Sequence, residues 1–283
     1  MVAIIVCIAC LLFTSCEYGP QDAFFRASNS DNRTKSFYEL ENSEAPHPAG
    51  DVYTVAVFSD LHFGKKDETR HEKDFLNWLE QAKADGNAPA FCICMGDIAD
   101  HGFKSEFEDY LDFVEKVEAI LGEGRVYNVL GNHDLYNDGW NSYSKMCFPY
   151  KSFYGFKTKT FSWYCIDSAS GSLGSRQYKK IKALFDKDSA PKIVMTHIPA
   201  YSNPMDSLGY FTFQNTYEAD MLLTLYAKNN VKLVLNGHIH RAYKNYFNHC
   251  IELTVPGLPM KNTWSVLTID EANATVKEEL VRR

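Results

Sequence analysis

The chain has 283 residues, 45% hydrophobic and 23% charged, an ordinary globular composition with enough apolar content for a substantial core. Its formal net charge of −7 argues against a nucleic-acid polymer as partner, because such a protein needs a basic face to neutralise phosphates. A small phosphorylated substrate stays open, since bound cations override the global field locally.

Residues 1–15 are almost wholly apolar and carry no charged side chain. The run is too short for a permanent bilayer span and fits the apolar part of a signal peptide, although the usual positively charged start is missing. Leu12-Phe13-Thr14-Ser15-Cys16 then resembles a bacterial lipobox, whose Cys is lipidated and becomes the mature N-terminus. A plain secretory signal with an incidental Cys is the alternative. The expectation is a lipoprotein of the bacterial cell envelope, tethered to a membrane through Cys16 and facing the periplasm or the exterior. Residues 16–50 are rich in Ser, Asn, Asp, Glu and Pro without a sustained apolar period, and read as a flexible tether. Phe24, Phe25, Phe37 and Tyr38 are the residues in it that could dock on the domain.

Residues 51–283 read as one domain. Apolar, β-branched strands are predicted over 52–58, 90–95 and 126–130, separated by amphipathic helices over 71–84 and 105–121. That alternation with apolar strands predicts parallel pairing and a sheet covered on both faces. An aromatic hairpin follows over 151–156 and 160–166, then a helix over 175–185, a short strand over 193–196, a helix over 216–228 and a strand over 231–235. Four further strands are predicted over 242–247, 250–255, 265–269 and 275–280. The whole reads as two mixed sheets with helices outside them. Beyond the leader, Cys92, Cys94, Cys147, Cys165 and Cys250 lack CxxC spacing, so they read as buried free thiols. Cys92 and Cys94, two apart on a strand, share one face.

The informative residues stand where the strands end. Asp60 and His62 follow the first strand, and Gly96, Asp97 and Asp100 the second. Gly131-Asn132-His133-Asp134 follows the third, His197 the strand at 193–196, and Gly237-His238-Ile239-His240 the strand at 231–235. In open α/β sheets the carboxyl edge of the strands is where ligands sit. Imidazole, carboxylate and amide oxygen are ligands for borderline ions such as zinc, manganese and iron, and seven of them suit two ions better than one. Singly, each His reads as a hydrogen-bonded core residue and each Asp as a helix cap. Five loops doing this at once point to a metal centre. His47, His71 and His249 read as tether or surface residues, and His101 is left open because it adjoins Asp100.

In this order the blocks Asp-x-His, Gly-Asp, Gly-Asn-His-Asp, lone His and Gly-His-x-His resemble the calcineurin-like metallophosphoesterase superfamily. The likeness spans residues 52–269. It implies a four-layer α/β/β/α sandwich, in keeping with the two-sheet reading. It also implies that one metal is held by Asp60, His62, Asp97 and His240 and a second by Asp97, Asn132, His197 and His238. The bridging hydroxide of such a pair attacks phosphorus in line. The resemblance makes His133 the general acid for the leaving oxygen, with the Asp100 carboxylate orienting it. Asn132 and Arg241 are candidates to hold the phosphate, and Asp134 is expected to brace its loop. The arginines of the protein serine/threonine phosphatases and the Tyr ligand of purple acid phosphatases are missing from their blocks. Gly96-Asp97-Ile98-Ala99-Asp100-His101-Gly102 looks most like the bacterial branch related to cyclic-nucleotide phosphodiesterases.

The resulting expectation is a phosphoesterase with two divalent or trivalent transition-metal ions (Mn, Fe or Zn) acting on small phosphomonoesters or phosphodiesters. Two alternatives stand beside it. One is a phospholipid or nucleotide-sugar pyrophosphatase, which needs an apolar groove that the aromatic segment 140–164 could form unless it is core. The other is a non-catalytic surface-binding lipoprotein.

Overall fold

The computed structural model describes residues 27–66, 70–201, 212–213 and 215–283. The expected signal peptide and Cys16 lie outside the described residues. The elements run α1 (Ala27–Arg33), β1 (Tyr38–Glu39), β2 (Val52–Phe58), α2 (Glu72–Ala84), β3 (Phe91–Cys94), α3 (Lys104–Leu121) and β4 (Val126–Asn128). Then come α4 (Gly139–Met146), β5 (Tyr154–Lys157), β6 (Ser162–Ile166), α5 (Gly174–Phe185), β7 (Lys192–Thr196), α6 (Thr216–Lys228) and β8 (Val231–Asn236). The chain closes with β9 (Tyr243–Phe247), β10 (Cys250–Thr254), α7 (Leu258–Lys261), β11 (Thr263–Asp270) and β12 (Thr275–Arg282).

Two mixed sheets form. A seven-stranded sheet has the order β1-β5-β6-β7-β8-β10-β9, and a five-stranded sheet the order β12-β11-β2-β3-β4. The period of two along each strand sorts side chains into layers. Val55 and Val57 of β2 face the space between the sheets, with Phe91, Ile93, Trp163, Ile193, Met195, Leu233 and Leu235. Ala56 and Phe58 of the same strand face α2 and α3, with Phe75, Leu79, Phe107, Tyr110 and Val117. Ile166, Val194 and Val234 face α5 and α6 on the far side. Each strand near the site is therefore buried on both faces, and the result is the four-layer α/β/β/α sandwich with helices outside. Cys92 and Cys94 share the helix-side layer, and all five described cysteines are free and buried.

Two expectations change. The segment read as a flexible tether is, from residue 27 to residue 50, packed on the domain. Its β1 pairs in parallel with β5, Leu40 enters the central core, and Phe37 meets Phe153 edge-on. Arg33 reaches the buried Asp167 with two hydrogen bonds (2.8 and 3.1 Å) and Ser170 with a third (2.8 Å), while Ser30 Oγ donates to the Leu173 carbonyl (2.9 Å). A few well-placed apolar and charged side chains dock a segment whose average composition looks unfolded. Second, the aromatic stretch contains a helix, α4, where none was expected, while the reading of its aromatics as core rather than groove holds: Tyr143, Phe153, Tyr154, Phe156 and Trp163 are all buried.

Candidate metal centre

The site lies at the carboxyl ends of β2, β3 and β4 in one sheet and β7 and β8 in the other. Short bonds lock these strand-end loops together: Asp60 N–H donates to Gly96 O (3.0 Å), His62 N–H to Asp97 O (3.0 Å) and Gly237 N–H to His197 O (3.0 Å). Gly131 is required by proximity, since a Cβ there would lie 2.1 Å from the Asp97 nitrogen. Asp60 (φ 53°), His62 (44°), Asp97 (51°), His238 (71°) and His240 (54°) all occupy the left-handed region. Asp and His tolerate that region better than bulkier residues, yet it costs of order 1–3 kcal/mol each, and such strain gathers where function demands it.

Those turns aim the side chains inward. Asp60, His62, Asp97 and His240 bring one ligand atom each within 4.8 Å of one another, and Asp97, His197 and His238 do the same. Asn132 joins the second group, its Oδ1 lying 3.2 Å from His197 Nε2. Asp97 Oδ2 stands 3.3 Å from His197 Nε2 and 3.8 Å from His62 Nε2, so this buried carboxylate lies between the two groups.

The outward nitrogens of these rings are occupied. His197 Nδ1 donates to the Met95 carbonyl (2.7 Å) and His62 Nδ1 to the Asp100 carboxylate (3.0 Å), while His240 Nδ1 faces Met260 Sδ (2.8 Å). A carbonyl can only accept, so the neutral His197 ring carries its proton on Nδ1 and turns a lone pair inward. His62 Nε2 and His240 Nε2 then face each other at 3.2 Å, and His240 Nε2 lies 3.3 Å from Asp60 Oδ1. A ring of lone pairs and carboxylates at these distances repels itself without cations, so the donor set fits metal ions.

Protonation shows the same field. Burial opposes charge on His197, yet Asp97 and Asp60 raise it to about 9. His240 is also raised, Asp60 outweighing burial, whereas burial wins at His62 and lowers it. Burial would push Asp97 up, but His197 and His62 hold it well below the ordinary carboxylate range.

His133 sits beside these groups, its ring 4.6 Å from that of His62. The expected route from Asp100 to His133 is different in the structure. His133 Nδ1 donates to the Asp100 backbone carbonyl (2.8 Å), while the nearest Asp100 carboxylate oxygen is 3.9 Å away and engages His62 instead. The backbone of the tight 97–100 turn brings its carbonyl closer to His133 than its side chain. The His133 N–H donates to Asp97 Oδ1 (2.8 Å). Asp134 accepts from Ile98 N–H (2.9 Å), Ala99 N–H (2.9 Å) and Gly131 N–H (2.8 Å), tying the second and third strand-end loops together. Burial, then Asp97, raises its carboxyl to about 7.

Of the remaining histidines, His101 bonds the buried Glu106 (2.9 Å), His71 bonds Asp74 (3.2 Å) and His47 the Asn42 carbonyl (2.6 Å), while His249 is exposed. Arg241 is exposed next to His240. Sequence reasoning missed Met260 and Tyr136, which touch the His240 and His133 rings. Met260 carries no signal in sequence, being 20 residues from its partner, whereas Tyr136 lies just past the Gly131-Asn132-His133-Asp134 block.

A two-sheet sandwich whose strand ends converge on a His, Asp and Asn donor set is the build of a metal-dependent hydrolase. The chain belongs to the calcineurin-like phosphoesterase family, whose model matches residues 53–242, and it is a metal-dependent phosphoester hydrolase. No curated protein sequence matches it. Among solved structures the chain is similar to GAP50, the anchor in the inner membrane complex of Plasmodium, with TM-score 0.60, 16% identity, and 82% of this chain and 84% of that one covered. It is similar also to the purple acid phosphatase PPD1 from yellow lupin (Lupinus luteus) seeds, with TM-score 0.61, 15% identity, and 84% of this chain and 55% of that one covered. A putative 5'-nucleotidase from Staphylococcus aureus matches with TM-score 0.50, 13% identity, and 82% and 54% covered. At these identities the likeness is one of fold.

Proposed function

We propose that this centre holds two divalent or trivalent transition-metal ions and hydrolyses small phosphomonoesters or phosphodiesters. Asp60, His62, Asp97 and His240 would hold one ion, and Asp97, Asn132, His197 and His238 the other. The observation that carries the reading is the buried Asp97 carboxylate standing between His62 Nε2 and His197 Nε2, one from each donor group. Bound metal ions supply charge neutralisation at a phosphoryl group and a hydroxide nucleophile at neutral pH.

The chain's own residues do the rest. Asp100, through its carbonyl, accepts from His133 Nδ1–H and orients the ring, so that the doubly protonated imidazolium would give its Nε2 proton to a departing oxygen. Asp97 serves twice, its Oδ2 toward the metal groups and its Oδ1 holding the His133 backbone. Asn132 and Arg241 would contact phosphate oxygens.

The test is metal content by mass spectrometry on the full chain, together with turnover of an aryl phosphate monoester and diester. About two ions per chain and hydrolysis are expected; metal-loaded protein inert on both esters overturns the reading. His133→Asn keeps the metal and loses roughly 10²–10⁴ in rate, while Asp97→Asn loses metal. The apolar leader and Cys16 support a further proposal, that the enzyme is anchored at the bacterial cell envelope. Palmitate labelling that Cys16→Ser abolishes is the expected result, and labelling that survives the change rules the anchor out.

A further inference from the structure

A phosphoryl group bound at the metal donors with its leaving oxygen toward His133 must place the rest of the leaving group beyond that ring. Three aromatic rings stand there. Tyr136 lies 4.6 Å from His133, tilted 48°, and is 46% exposed. Past Asp100, whose Oδ2 is 3.5 Å from His101 Nε2, the His101 ring is 52% exposed and stacks on Phe103 at 5.7 Å and 18°. Phe103, 51% exposed, is the most exposed phenylalanine among the described residues.

Helix capping does not call for an aromatic ring at Phe103. The residue occupies the N-cap of α3, where Ser, Thr, Asp or Asn would serve the helix. Glu106 instead accepts from the backbone N–H of Phe103 (3.0 Å) and of His101 (2.9 Å), holding the entry to the helix. The shelf is also rigid. Glu106 bonds His101 Nδ1 at 2.9 Å, and Asn137 Nδ2 donates to the His101 carbonyl at 2.7 Å. Gly102, at φ 73°, sits so close to Tyr136 that a Cβ would lie 2.1 Å from the Tyr136 carbonyl oxygen. The loops bearing His101, Phe103 and Tyr136 are thus held together before any ligand arrives, which lowers the ordering cost of binding.

We infer that Tyr136, His101 and Phe103 form a leaving-group subsite for a planar aromatic ring, so that the preferred substrates are phosphoesters of aryl or heteroaryl alcohols and of nucleosides. The inference rests on the metallophosphoesterase reading of the same site. Flat rings gain from offset or edge-to-face contact with other rings beyond their buried area, an advantage that a saturated ring of equal size lacks.

The test uses non-hydrolysable probes, so that it does not depend on turnover. Binding of phenylphosphonate, cyclohexylphosphonate and methylphosphonate to the full, manganese-loaded protein is measured by calorimetry. Phenylphosphonate should bind roughly tenfold more tightly than methylphosphonate and several-fold more tightly than cyclohexylphosphonate. In Phe103→Ala and in Tyr136→Ala, both at half-exposed positions, the phenyl preference should fall to about threefold or less. Equal affinities in the native protein, no binding of any probe, or a preference untouched by both variants overturns the subsite. A protein that hydrolyses phosphoesters without phenyl preference sinks this inference alone. Phenyl preference without hydrolysis of any ester sinks the proposed function and leaves the subsite.

Discussion

The Asp100 side chain and the Asp100 backbone serve different histidines: the carboxylate takes His62 Nδ1 at 3.0 Å, and the carbonyl takes His133 Nδ1 at 2.8 Å. Asp100→Ala should therefore act through the metal-facing ring. Metal affinity, measured by chelator competition, is expected to fall roughly 10–100-fold, while kcat at saturating metal stays near that of the native protein. Asp100→Asn, which keeps an acceptor oxygen, should recover part of the affinity. Loss of kcat at full metal occupancy with unchanged affinity would show that the carboxylate serves His133 after all.

Asp134 carries three buried backbone N–H groups from two loops, those of Ile98, Ala99 and Gly131. Asp134→Ala leaves all three without an acceptor, at about 1–3 kcal/mol for each unsatisfied group. The expected result in denaturant unfolding is a loss of several kcal/mol, accompanied by weaker metal binding as the loops separate. Asp134→Asn retains an acceptor oxygen and should lose less.

Arg33 neutralises Asp167 where both are hidden, with side-chain exposures of 6% and 0%. Arg33→Met leaves a buried carboxylate without its cation, and breaking such a pair from one side typically costs about 3–5 kcal/mol. Arg33 is the anchor of α1, so limited proteolysis should then cut within residues 27–50 while the sandwich resists. An uncut segment with unchanged stability would mean that β1 and Leu40 suffice to hold it.

Glu252 in β10 is buried and accepts from the backbone N–H groups of Ala200 (3.1 Å) and Tyr201 (3.5 Å). Burial outweighs those bonds and raises its carboxyl from 4.5 to about 7. The folded state thus favours the protonated form, so its stability relative to the unfolded chain falls as pH climbs from 4.5 and levels off above about 7. The gap amounts to roughly 3 kcal/mol. Glu252→Gln, uncharged at every pH, should match the native protein in mild acid and exceed it above neutrality. Unfolding curves whose difference does not change across that range would contradict the assignment.

The order of apolar strands, the helices between them and the donors at strand ends are local in sequence. A strand buried on both faces must be apolar along its length and can end only where polar residues meet the edge. The donors from Asp60 to His240 were legible for that reason, as was the two-sheet build, whereas their division between two ions came only from the family resemblance. Long-range contacts left no such mark. The tertiary structure alone decided that Arg33 meets Asp167 and converts an unfolded-looking segment into part of the sandwich. It also turned the Asp100 carbonyl, rather than its carboxylate, toward His133, and set Met260 against His240 and Tyr136 against His133. Such contacts depend on which loop conformations bring distant backbones within hydrogen-bond reach. Here those conformations are the left-handed turns at Asp60, His62, Asp97, His238 and His240.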